Sequence, residues 1–290
     1  MKQKRIVTIQ DISCFGKCSL SVAMPIISAF GIETVVLPTA LLSTHTGVGF
    51  KDYTFLDLTG EMKKIIEHWE KMNLEFDAVY SGYFGNKAQI ETAVNLFKYV
   101  KKSGSPIIID PVMADDGKLY AGFDSEFVKK MYSLCSIADV ITPNVTEAAY
   151  LAGIEYRGQH DEQYIRDLAI RLSETGAKLV VITGISHNEK SGAVCYNSEN
   201  GEFVSHLRQH IPGNYYGTGD IFASTLCGAI VSGADFRDAL SLAVDFVHES
   251  IENTLDEPDK YFYGVKFEQS LNMITGRLKR FSESLAEHTP

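Results

Sequence analysis

Gly217-Thr218-Gly219-Asp220 runs straight into Ile221-Phe222-Ala223-Ser224-Thr225-Leu226-Cys227-Gly228-Ala229-Ile230-Val231. A polar, aromatic loop, Pro212-Gly213-Asn214-Tyr215-Tyr216, precedes it. The reading is a loop that turns into a buried helix. The first N–H groups of a helix have no partner inside it, and its dipole is positive at that end. Two glycines let an anion approach the backbone, so phosphate is the natural guest. Asp220 adds negative charge at the same place. Two readings of it stand open. It takes a proton from a hydroxyl that attacks a phosphate, or it is a first-turn acid that stabilises the dipole while the glycines allow a tight turn.

Working back to the amino terminus, short β-branched runs alternate with apolar-periodic stretches. Arg5–Ile9 reads as a buried strand. A loop over Gln10–Lys17 follows, then a helix over Ser19–Phe30 with Pro25 inside it. Glu33–Leu37 is a second strand, and Pro38–Tyr53, rich in Ser, Thr and Gly, is too long and polar for a plain connector. Helix Leu58–Met72, strand Asp77–Tyr80, helix Lys87–Lys102 and strand Pro106–Asp110 come next. An acidic loop, Met113–Tyr120, reads as flexible. Helix Ser125–Leu134 and strand Asp139–Thr142 follow, and Pro143-Asn144-Val145-Thr146-Glu147 opens another helix. A helix ending at Gly176 leads to strand Lys178–Ile182. Gly192–Tyr196 and Glu202–His206, around Asn200-Gly201, read as an antiparallel hairpin. Beyond the central run lie helices over Phe236–Leu255 and Lys266–Ser284 and a frayed tail, Leu285–Pro290.

This alternation predicts an α/β fold: three α/β/α layers, a mostly parallel central sheet and a small antiparallel hairpin. No linker or repeat divides the chain, so one domain is expected over 1–290. Ligands of such sheets bind beyond the carboxyl ends of the strands. Asp110, Asn144, Glu147, Thr183 and the Gly217–Asp220 loop should share that edge.

Composition excludes several classes. The 290 residues are 45% hydrophobic and 22% charged, as in ordinary globular proteins. A net charge of −10 speaks against a nucleic-acid surface. No apolar run is long enough to span a membrane, and no signal-peptide pattern opens the chain. Five scattered cysteines form neither a disulfide framework nor a zinc pattern. A reduced, cytoplasmic protein is expected. An acidic protein that binds nucleotide must draw local positive potential from backbone dipoles and a metal ion.

Familiar motifs are missing. Gly16-Lys17-Cys18-Ser19 is like the end of a P-loop, but Asp11 stands where the first Gly belongs and Cys18 replaces the Ser or Thr that meets magnesium. No Gly-x-Gly-x-x-Gly follows the first strand. What remains is the set of strand-end groups. Asp110, Asn144 and Glu147 could hold magnesium with nucleotide phosphates. Equally, Asn144 could be a helix N-cap with Glu147 as its N3 partner. His45 reads as a loop hydrogen-bonder without a proton-transfer role.

Asp110-Pro111-Val112-Met113, Asn144-x-x-Glu147 and Gly217-Thr218-Gly219-Asp220, in that order, resemble the ribokinase superfamily. Ile9-Gln10-Asp11 with Phe15-Gly16, then His45-Thr46, Ser81-Gly82-Tyr83 and Thr142-Pro143-Asn144, resembles more narrowly the pyridoxal (pyridoxine, pyridoxamine) kinases. The resemblance implies an ATP-dependent vitamin-B6 5′-phosphotransferase that uses magnesium, often helped by potassium, and is usually a homodimer. It implies Asp220 as the base and Gly217, Thr218 and Gly219 as the anion hole. It places the pyridine ring at Asp11, Thr46 and Tyr83. It assigns nucleotide and phosphates to Asp110, Asn144, Thr183 and Gly184, and the metal to Asp110 and Glu147. Three departures stand out. Asp11 replaces a common Ser, Gly47 follows His45-Thr46 in place of a larger polar residue, and Thr183 stands where related kinases often place a phosphate-reaching Lys. Two alternatives stay open: a hydroxymethylpyrimidine (phosphate) kinase, and a catalytically silent protein that binds pyridoxal phosphate or nucleotide. Asp rather than Cys after Gly217-Thr218-Gly219 leans toward the vitamin-B6 type.

Overall fold

Strand β1 spans Arg5–Ser13 and lies inside a nine-stranded sheet. The computed structural model describes residues 3–47, 49–101, 104–257 and 262–278. The other strands are β2 (Glu33–Leu42), β3 (Phe55–Asp57), β4 (Ala78–Ser81), β5 (Ile107–Ile109), β8 (Val140–Ile141), β9 (Leu179–His187), β10 (Lys190–Asn197) and β11 (Glu202–Gln209). The order across the sheet is β11-β10-β9-β8-β5-β4-β1-β2-β3. From β2 to β9 every pairing is parallel, while β3, β10 and β11 add antiparallel edges. The parallel strands are short and apolar because both faces are covered.

Helices α2 (Thr59–Lys71), α3 (Lys87–Lys101), α4 (Ser125–Cys135), α5 (Val145–Ala152) and α6 (Glu162–Ser173) cover one face. Their Met62, Phe97, Met131, Ala148 and Leu168 pack on Val7, Ile9, Val79, Ile109 and Ile182. The other face receives α1 (Leu20–Ala29), α7 (Thr218–Val231) and α8 (Phe236–Glu252), packed on Ile6, Tyr80, Ile108, Val140 and Val181. Side-chain alternation along each strand sends its apolar residues to the two layers in turn. Pro25 lies inside α1 without ending it.

The structure revises several boundaries. β1 continues through Gln10 to Ser13, so Asp11 belongs to a strand and not to a loop. A register shift against β2 between Gln10 and Ile12 marks an irregularity there. β2 runs on through Pro38 to Leu42, leaving a shorter loop before β3. β9 extends past Thr183 to His187, so the hairpin β10–β11 belongs to the main sheet. The separate small antiparallel pair is β6 (Ala114–Asp115) with β7 (Lys118–Leu119), inside the acidic loop read as flexible. After α8, a 3-10 turn over Phe267–Ser270 leads into helical residues 271–278. The expected helix ends at Ser284 and at Lys102 and the tail Leu285–Pro290 lie outside the described residues. No helix among the described residues is long and apolar enough to cross a membrane.

Candidate active site

The centre of the site is the start of α7. Gly217 is its N-cap, with φ 77°, a left-handed conformation that costs glycine little. A Cβ there would lie 1.8 Å from the Lys17 carbonyl oxygen, so the turn after β1 and the turn before α7 touch backbone to backbone. The Ile221 N–H is bonded to the Gly217 carbonyl at 3.0 Å, which leaves the preceding N–H groups at the open helix end. The Thr218 hydroxyl turns back to the Tyr215 carbonyl at 3.0 Å, so Thr218 offers the site its N–H. At Gly219 a Cβ would meet only open space. An anion can approach the backbone at that point.

Asp220 follows within the first turn. Its Oδ2 accepts the Ser19 N–H at 2.9 Å. Burial raises its pKa to about 7, the Ser19 N–H pulls the other way, and the charge of Asp11 adds to the rise. A carboxyl poised near neutrality is suited to accept a proton from a hydroxyl. A plain dipole-stabilising acid at an exposed helix start would be ionised well below that.

Asp11 lies nearby, only 6% exposed. Its two oxygens accept from Ser19 Oγ at 2.5 Å and Ser13 Oγ at 3.0 Å. Burial raises its pKa against those two hydroxyls. Tyr83 is half-buried, and burial, reinforced by the charge of Asp11, pushes its phenol up to about 12. Thr46 is exposed between His45 and Gly47. The His45 ring packs between Gly16 and Gly47, where added Cβ atoms would come within 2.4 and 2.7 Å of it. Its Nδ1 accepts the Gly47 N–H at 2.9 Å, and burial lowers its pKa. His45 is thus a neutral loop hydrogen-bonder, and Gly47 is there because a side chain would collide with it.

Across the edge, Asp110 follows β5 and is 6% exposed. The Thr142 hydroxyl donates to its Oδ1 at 3.2 Å. Its pKa is raised well above the usual range by burial first, then by Glu147 and Asp220. Asn144 and Thr183 face each other in a parallel bridge, and the Thr183 N–H donates to the Pro143 carbonyl at 3.0 Å. Gly184, exposed at φ 72°, is the unpaired residue of a register shift inside β9 just past Thr183. Strand ends therefore bring Asp110, Asn144 and Thr183 to one edge.

Asn144 and Glu147 form a complete capping box on α5: Asn144 Oδ1 accepts the Glu147 N–H, and Glu147 Oε2 accepts the Asn144 N–H, both at 2.9 Å. The same two side chains also reach the β6–β7 flap. Glu147 Oε1 accepts the Met113 N–H at 3.0 Å and the Ala114 N–H at 3.5 Å, while Asn144 Nδ2 donates to the Ala114 carbonyl at 2.8 Å. Glu147 is raised by burial, with those three N–H groups holding it down. Thr146 Oγ1 accepts the Gly117 N–H at 3.1 Å and secures the far end of the flap.

For magnesium the residues fit unequally. Among the described residues no group of three or more His, Cys, Asp or Glu encloses a metal position. Asp110 has only Thr142 donating to it, on one oxygen, which suits a magnesium ion held by one carboxylate, phosphates and water. Both oxygens of Glu147 are already engaged by backbone. A cavity lies elsewhere, between α6 and β9–β11, lined by His160, Ile165, Ile185, Val194, Phe203 and Leu207. It contains none of the acids above.

Sequence reasoning missed Ser13 and Ser19. Ser19 was read as the start of a helix and as the end of an incomplete P-loop match, yet it contacts both Asp11 and Asp220. No local pattern signals this, because the partners lie 8 and 201 residues away.

Comparison with known proteins agrees with this fold. The family model described as phosphomethylpyrimidine kinase matches residues 29–263. A crystal structure from Bacteroides thetaiotaomicron, provisionally described as a phosphomethylpyrimidine kinase and holding pyridoxal, is 36% identical with a TM-score of 0.89, covering 94% of this chain and 96% of that one. The pyridoxal kinase of Lactobacillus plantarum is 30% identical with a TM-score of 0.85, covering 94% and 97%. Pyridoxal kinase of Arabidopsis thaliana is 26% identical over 268 residues, 87% of this chain and 83% of its own length. With a mostly parallel sheet, an open helix start and an acid in its first turn, the chain belongs to the phosphomethylpyrimidine kinase family, with the pyridoxal kinases of the ribokinase superfamily, and is a phosphotransferase of the kinase type.

Proposed function

We propose that the protein transfers the terminal phosphoryl group of ATP to the 5′-hydroxymethyl group of pyridoxal, pyridoxine or pyridoxamine. The observation that carries this reading is Asp220, a carboxyl raised to about 7 beside the open N–H groups of α7. The vitamer ring lies on the β1–β2 side, against Asp11, Thr46 and Tyr83. The nucleotide lies across β5, β8 and β9, against Asp110, Asn144, Thr183 and Gly184. Asp220 takes the hydroxyl proton as the oxygen attacks the terminal phosphorus and the bond from that phosphorus to the bridging oxygen breaks, releasing ADP. The N–H groups of Gly217, Thr218 and Gly219 receive the charge on the transferring group, where fixed donors contribute most. Asp110 is the residue that would hold magnesium, which supplies charge neutralisation on the phosphates. Glu147 stands behind it, through water or through the backbone it secures. The pyridoxal held by the 36% identical structure supports the choice of vitamer.

Measuring ATP consumption with each vitamer and with hydroxymethylpyrimidine, at several magnesium concentrations, tests the reading. Turnover with at least one vitamer is expected. The description of the matching family keeps the pyrimidine as the second reading, and turnover with the pyrimidine alone would establish it. No turnover with any of them, together with tight binding of pyridoxal phosphate, would identify a silent binding protein. A potassium requirement belongs to the same proposal, read as the rate in potassium against sodium. So does a homodimer, supported by apolar surface exposed at Leu41, Phe55 and Leu56 on the β2–β3 edge and checked by sedimentation.

A further inference from the structure

Ser19 has a backbone that serine rarely adopts: φ 51° and ψ −130°. That region is populated almost only by glycine, and another residue stays there only when its surroundings hold it. Its side chain also departs from habit. A serine at a helix N-cap normally accepts a backbone N–H of the first turn. Ser19 makes no such cap on α1, whose Val22 and Ala23 N–H groups go to the Ser19 carbonyl instead, at 3.1 and 2.9 Å. The hydroxyl donates its proton to Asp11 Oδ1 at 2.5 Å, and the Ser19 N–H donates to Asp220 Oδ2 at 2.9 Å. The residue is 6% exposed, so neither bond competes freely with water.

We propose that Ser19 is the positioning residue of this site, one strained unit that aims Asp220 with its N–H and Asp11 with its hydroxyl. The inference rests on the proposed vitamer kinase only in naming what each acid meets. The N–H orients the acid that takes the proton. The hydroxyl, with that of Ser13 on the other oxygen, fixes the plane of the Asp11 carboxylate. Each Asp11 oxygen keeps a further lone pair, so a ring donor meets an acceptor already set in place. Pre-setting a group in this way lowers the ordering cost of binding. The consequence is a division of labour within one residue: the backbone serves turnover and the hydroxyl serves substrate affinity.

Two substitutions separate these parts. Ser19→Gly keeps the N–H, relieves the backbone and removes the hydroxyl. Ser19→Ala removes the hydroxyl and keeps the strain. Both should raise the vitamer KM about tenfold, the scale of a lost hydrogen bond to a charged group, while Ser19→Gly holds kcat within about threefold of the parent. Ser19→Gly should also melt a few degrees above Ser19→Ala. ATP KM should stay unchanged in both. An unchanged vitamer KM in both variants, or equal loss of kcat and ATP affinity, would overturn the role in aiming Asp11. Equal melting temperatures would overturn the strain. If the parent phosphorylates no vitamer but does phosphorylate the pyrimidine, the functional reading fails and the same KM comparison is made with the pyrimidine. If it phosphorylates neither, the melting comparison still decides on the strain, and binding of pyridoxal by calorimetry replaces KM.

Discussion

At the residue scale, Asp220 sits where two demands conflict. A first-turn acid is favoured by the helix dipole, yet burial and Asp11 push its proton affinity up to about 7. Asp220→Asn should keep nucleotide binding and lose about 10²–10⁴-fold in kcat, the usual range for general-base assistance. A variant within a few-fold of the parent would remove Asp220 from the mechanism. Because the base acts ionised, kcat/KM should rise with pH and level off through about 7. Asp11 contributes to that rise, so Asp11→Asn should move the acid limb to lower pH. The same acid should sort vitamers. An ionised carboxylate accepts hydrogen bonds and donates none, so it favours a ring that presents a donor or a positive charge. Asp11→Ser should shift the ratio of kcat/KM for pyridoxamine over pyridoxal by about tenfold or more. An equal change for all vitamers would leave Asp11 without a discriminating role.

At the scale of elements, α5 and the β6–β7 flap are held by one pair of side chains. Glu147 and Asn144 close the capping box and bind Met113 and Ala114 at the same time. Just past the flap, the Tyr120 N–H donates to the Met113 carbonyl at 2.9 Å, and its phenol is raised by burial and by the charges of Glu147, Asp115, Asp110 and Asp220. Glu147→Gln replaces one acceptor oxygen by an NH2; set at the Oε1 position, it takes the acceptor from both the Met113 and the Ala114 N–H. Amide exchange at Met113 and Ala114 should accelerate, and the rate should need more magnesium because Asp110 lies beside a loosened flap. Exchange confined to the first turn of α5, with an unchanged magnesium curve, would reduce Glu147 to a helix cap.

For the whole molecule, buried acids shape how stability depends on pH. Asp220 and Asp11 have folded pKa values above their unfolded ones. Such acids stabilise the fold fully below the unfolded pKa near 4, and that stability is lost as pH rises through the folded values. Surface acids such as Asp57, whose pKa is lowered by hydrogen bonds from Thr59, Asn86 and Gln89 against burial, act in the opposite direction: their stability is present above about 4 and is lost as pH falls below it. The melting temperature should therefore peak at mildly acidic pH and fall toward pH 8, helped down by the net charge of −10. Asp220→Asn should melt above the parent at pH 8 and level with it near pH 4. A parent that is most stable at pH 8 would contradict this balance. An active site that costs stability is the common exchange for function.

The three-layer fold was legible in the chain itself because it follows from local pattern. β-Branched runs of three to five residues between amphipathic stretches leave no arrangement but a covered parallel sheet. Gly217-Thr218-Gly219-Asp220 was legible for a similar reason, since a helix start exposes its N–H groups whatever surrounds it. Asn144 and Glu147 were legible as a capping box because the box is local. What they do besides was not: Glu147 reaches Met113 and Ala114, 34 and 33 residues back. The continuation of β1 through Asp11 was hidden because its polar residues break the apolar run, and only pairing with β2 extends the strand. Ser19 was hidden most fully. Its conformation and both of its partners are set by the meeting of the turn after β1 with the start of α7, 201 residues apart, and long-range hydrogen bonds leave no period in a sequence.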